Sequence, residues 1–153
     1  MRRTAIREHV FRILFRYDFY DTEDFTEQTV LYFDSDNSDD EPKAVTDGDE
    51  DSDNLDTSGI SELDRAEIQS RAELVAKRIP ELDAIISDAC DGWAIGRIGK
   101  AELAILRLAA YEILFDEQIE PAIAINEAVE LSKKYCADKS HSFVNGVLAK
   151  LIK

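Results

Sequence analysis

At 153 residues, 44% hydrophobic and 33% charged, the chain is long enough to bury a core as one domain over 1–153, and its mixed composition excludes fibrous and wholly unstructured classes. Its net charge of −15, from 18 basic and 33 acidic residues, excludes a uniformly basic nucleic-acid binder, so the distribution of charge matters more than its sum. Two cysteines at no metal-like spacing, Cys90 and Cys136, exclude a disulfide scaffold and read as buried thiols of a reducing compartment.

Taken in chain order, the first predicted element is a helix from about Thr4 to Phe19. Ile6, Val10, Ile13, Leu14 and Tyr17 share a side, and Arg3, Arg7, Glu8, Arg12 and Arg16 crowd outward or toward the start. Residues 1–16 carry five arginines against Glu8 alone, a local charge of +4. A shorter apolar segment spans Thr26 to Phe33, with Thr26 as candidate cap. Residues 34–57 hold eleven Asp or Glu and one Lys, a charge of −10. Such a run has almost nothing to bury and repels itself, so it is expected to be a disordered acidic insert between helices. The rest of the chain carries −5.

Ser61 is a candidate cap for a helix running to about Arg78, with Leu63, Ala66, Ile68, Ala72, Leu74 and Val75 as apolar positions. Pro80 interrupts, and Leu82, Ile85, Ile86 and Ala89 predict another short helix. Trp93 reads as a packing anchor. From Lys100 to Phe115 the pattern is apolar on nearly every side, as expected for a central helix. Arg107 within it requires a buried acidic partner, with Glu127 or Glu130 as candidates. Pro121 suits a first helical position. Ile125, Ala128, Val129 and Ser132 then share a face. After a polar turn, Phe143, Val147, Leu148, Leu151 and Ile152 follow a helical rhythm, with Ser140 or Ser142 as cap and Gly146 as a close-packing point. No stretch sustains the alternation of a strand, so the fold class is all-α. No apolar run reaches the roughly 18 residues of a spanning helix, and the start lacks a signal-peptide core, which predicts a cytoplasmic protein.

Enzyme motifs are absent: no glycine-rich phosphate loop, no HExxH, no GxSxG and no Cys/His cluster, so neither a cofactor nor a metal is expected. What remains is recognition chemistry. Arg2, Arg3 and Arg7 lie at a helix start, and guanidinium groups pair with phosphate oxygens and stack on bases. Charge alone reads equally as a solvated basic terminus. The turn Lys139-Ser140-His141-Ser142-Phe143 offers N–H groups, hydroxyls and an aromatic ring to an unpaired nucleotide, although periodicity alone places Phe143 in the core. Glu102 reads as a helix-start carboxylate and Phe15 as a core residue. His9 reads as a surface residue.

Four segments carry a resemblance. Residues Ala124–Tyr135 (AINEAVELSKKY), Ser142–Lys150 (SFVNGVLAK), Glu102–Leu114 (ELAILRLAAYEIL) and Arg7–Phe15 (REHVFRILF) resemble the NusB family of bacterial transcription antitermination factors. The likeness covers about residues 2–33 and 60–152 and leaves out the acidic insert. It implies seven helices in two crossed three-helix bundles. It further implies binding of boxA RNA in ribosomal RNA leaders with NusE, the small-subunit ribosomal protein, inside the RNA polymerase antitermination complex. By this resemblance Arg2, Arg3, Arg7, Lys139, Ser140 and Phe143 are the RNA-binding candidates, and Phe15 and Glu102 face NusE. Thr4-Ala5-Ile6 separates the paired arginines from Arg7 more widely than in related sequences. Lys139 stands where the family often has an acidic residue, which favours RNA. A helper module for an RNA methyltransferase and a purely protein-binding adaptor remain the alternatives, as does a homodimer of the free protein.

Overall fold

The computed structural model describes residues 2–17, 25–34, 59–90 and 95–152, apart from the side chains of residues 26, 28 and 34. Seven helices form among them: α1 (Arg3–Arg16), α2 (Phe25–Asp34), α3 (Glu62–Lys77), α4 (Ile79–Ala89), α5 (Lys100–Phe115), α6 (Pro121–Tyr135) and α7 (Ser140–Ala149). A 3-10 turn, Ile95–Arg97, leads into α5, and the described residues contain no strand. No helix among them is long and apolar enough to cross a membrane. The insert beyond Asp34, Trp93, the Thr26 side chain and the predicted helix end at Phe19 lie outside the described residues.

The all-α reading holds. Helices α1, α2 and α3 pack together, as do α5, α6 and α7, and the two bundles meet where α1 and α4 lie on α5. Local signals explain several boundaries. Ser61 Oγ accepts the Asp64 N–H at 3.2 Å and opens α3. One residue, Arg78, separates α3 from α4, and Pro80 sits in the first turn of α4, where its missing N–H removes no helical bond. Pro121 opens α6 in the same way. On α5, Leu103 to Ala110 are buried without a break, as a central helix requires. Leu82, Ile86, Leu106 and Leu148 are fully buried, each worth about 1.5–3 kcal/mol over exposure.

Several expectations are corrected. Leu63 is 85% exposed, and Ala66 and Leu74 are also exposed, because α3 turns Ile68, Ala72 and Val75 inward on the opposite face. Gly146 is not a packing point: it lies on the exposed side of α7, with nothing within 4 Å of where a Cβ would stand. Arg107 is indeed buried and paired, but with Asp83 on α4, through bonds of 2.8 and 2.9 Å. Neither Ser140 nor Ser142 caps α7. Lys139 holds the cap position without a side-chain bond.

Candidate nucleic-acid interface

Helix α1 behaves differently from its sequence pattern. Its charged residues were expected on the outside, yet Arg7, Glu8, His9 and Arg16 are all buried. Each has a partner on another helix. Arg7 donates from Nε to Glu112 Oε1 at 2.9 Å and from Nη2 to Glu112 Oε2 at 2.7 Å, a two-pronged pair with α5. Its Nη1 lies 3.8 Å from Glu127 on α6. Glu8 accepts hydrogen bonds from Lys134 and from the Tyr135 hydroxyl. His9 Nδ1 shares a 2.6 Å hydrogen bond with the Tyr32 hydroxyl, and the Arg16 guanidinium lies 5.3 Å from the centre of that ring. His9 is therefore not the expected surface residue: it is 1% exposed.

These pairs set α6 along α1 in the same direction. Thr4, near the start of α1, donates to Glu127 in the middle of α6 at 3.3 Å, and Phe11 meets Tyr135 at 4.9 Å between ring centres. The end of α6 thus delivers the turn before α7 to the middle of α1. Arg2 and Arg3 stand at the start of α1, exposed and without an ion pair among the described residues. At about 1.5 Å per helical residue, they lie on the order of 10 Å along α1 from the level of Tyr135. The start of α1 therefore carries an exposed guanidinium pair, and the α6–α7 turn follows the helix end that bonds to the middle of α1.

In that turn Lys139 is exposed, Ser140 is half-buried, and Phe143 is half-buried with part of its ring packed on the core. Phe15 is also half-buried against the core. Glu102 is half-buried near the start of α5, and Ser140 Oγ donates to its Oε1 at 3.0 Å. The structure brings these two candidates, drawn from different expected surfaces, into direct contact. Burial first, then the Glu102 carboxylate and its hydrogen bond, push the Cys136 thiol up to about 12.

Three participants were missed from sequence. Glu112 and Glu8 act across 105 and more than 120 residues, which no local pattern reveals. Gly99 was missed despite a local signal. It caps α5 with Glu102 three positions on, the spacing at which a glutamate reaches back toward the cap. Between α1, α3 and α5, a cavity of about 50 Å³ is lined by Arg3, Ile6, Arg7, Arg71, Tyr111 and Glu112. Among the described residues no group of three or more His, Cys, Asp or Glu is placed to hold a metal ion.

The profile of the NusB family matches residues 4–153. The transcription antitermination protein NusB of Lachnoclostridium phytofermentans is 40% identical over 152 residues, covering 99% of each chain. Among solved structures, T. maritima NusB superposes with a TM-score of 0.75 at 24% identity, over 99% of this chain and 90% of that one. A NusB structure solved with NusE and double-stranded RNA superposes at 0.67 and 24% identity, over 97% and 94%. A family match across both ends and the whole helical order admits one conclusion: the chain belongs to the NusB family.

Proposed function

We propose that this chain is a non-enzymatic, cytoplasmic RNA-binding adaptor that takes up boxA of nascent ribosomal RNA leaders together with NusE and supports transcription past termination signals. The curated relative is a transcription antitermination protein, and a solved neighbour holds NusE and RNA at once. The observation that supports the reading here is exposure: Arg2, Arg3 and Lys139 are exposed and Ser140 and Phe143 half-buried, with α6 tied to α1 between the two regions. The arginines supply phosphate contacts, the exposed side of Phe143 a stacking surface, and the α7 start N–H groups for a further phosphate. Arg7 plays a different part. Already paired with Glu112, it holds the arginine-bearing helix start in place. Phe15 and Glu102 mark the partner side.

Fluorescence anisotropy with a boxA-like RNA and a scrambled control, with and without NusE and across a salt series, tests this. Preference for boxA that sharpens with NusE and weakens steeply with salt is expected. Equal weak binding to both RNAs in every condition would move the function to protein contacts.

A further inference from the structure

Glu102 is committed in three directions at once. Its Oε1 accepts the Ser140 hydroxyl at 3.0 Å, and its charge helps hold the buried Cys136 thiol neutral. Its Oε2 folds back so tightly that a Cβ on Gly99 would stand 2.1 Å from it. One side chain on α5 thus fastens the first residue of α7.

This fastening works against RNA. A serine hydroxyl has a single proton to donate, and that of Ser140 points to Glu102 rather than outward. A carboxylate at hydrogen-bonding distance from the α7 start also repels a phosphate, cancelling the attraction a helix N-terminus offers an anion. The carboxylate is half-buried, so its exposed side remains open to a group arriving from outside.

We propose that Glu102 is an autoinhibitory latch on the α7 end of the RNA surface, opened when a cationic side chain of the protein partner takes its carboxylate. The inference rests on the function proposed above and adds how the two ligands communicate. A lysine or arginine of the partner neutralises Glu102 and draws it from Ser140. The hydroxyl and the α7 N–H groups then turn to phosphate. Because coupling between two binding events is reciprocal, RNA seated at Ser140 releases Glu102 and tightens the partner by the same factor.

The test is RNA affinity of the full chain by fluorescence anisotropy with a boxA-like RNA, with and without NusE, for wild type, Glu102→Gln and Ser140→Ala. Glutamine keeps the acceptor for Ser140 and removes the charge. Glu102→Gln is expected to bind RNA alone about fivefold tighter than wild type, the effect of one nearby like charge at a partly exposed site. Ser140→Ala, a change at a half-buried hydroxyl with little bearing on folding, should shrink the enhancement that NusE gives. An unchanged affinity of Glu102→Gln for RNA alone, with wild type binding boxA and responding to NusE, overturns the latch and leaves the proposed function standing. Wild type showing no boxA preference even with NusE overturns both.

Discussion

Two buried side chains of α1 illustrate how charge is made tolerable inside this protein. Arg7 is 9% exposed and satisfies its fork with both oxygens of Glu112. Truncation to Arg7→Met leaves the Glu112 carboxylate buried without its counter-charge, and should cost about 3–5 kcal/mol in urea unfolding. The double variant Arg7→Met/Glu112→Leu should recover most of that loss. A single-variant cost below about 1 kcal/mol would show that the pair is not what anchors α1. His9 follows different physics. Burial first, then the Arg12 guanidinium, push its pKa down to about 4, with Glu8 opposing them. The unfolded chain takes up this proton near pH 6.5 and the folded chain only near 4, so between those values the unfolded state binds more protons. This contribution is therefore unfavourable below pH 6.5 and grows as the pH falls toward 4, by about 1.4 kcal/mol per unit. His9→Gln, which can still bond Tyr32, should unfold with a flatter pH dependence than wild type between pH 7.5 and 5. Parallel pH profiles for the two proteins would place the acid sensitivity elsewhere.

At the scale of elements, the helices were legible because each leaves a local trace. Ser61 caps α3, Pro121 opens α6, and the nearly all-round apolar pattern of α5 marks a centre. Partners were not legible. The sequence periodicity of α1 counts arginines as outward, and only the tertiary fold brings Glu112 and Lys134 against it. Arg107 shows the boundary between the two. Its need for an acid could be argued from its neighbours, while the choice of Asp83 over Glu127 depends on α4 crossing α5 on that side. The candidate site divides along the same line. Arg2 and Arg3 are exposed, whereas Arg7 is buried against Glu112 and Glu102 meets Ser140. Gly146 gives an element-scale prediction. It sits in the exposed side of a helix with open space beyond it, so Gly146→Ala should stabilise the protein by about 0.5–1 kcal/mol through helix propensity alone. A fall in the urea midpoint would instead reveal a contact that needs the bare backbone.

For the whole molecule the question is why a proposed RNA binder carries a charge of −15. Two-thirds of that excess belongs to residues 34–57, and residues 1–16 carry +4. An RNA approaching Arg2 and Arg3 feels both. Exposed charges are screened beyond about 8 Å in physiological salt, so repulsion by the insert is expected to be strongest at low salt. Replacing residues 34–57 by a short uncharged linker removes −10 and should raise RNA affinity at low ionic strength, mainly through a faster association rate. The gain should shrink as salt rises. Stopped-flow association rates of a labelled boxA-like RNA, for both proteins over a salt series, measure this. Rates that differ at low salt and converge at high salt identify the insert as an electrostatic brake on RNA association. Equal rates at every salt, with loss of a protein partner from the linker variant, would make the insert itself the binding element and leave the basic start a solvated terminus.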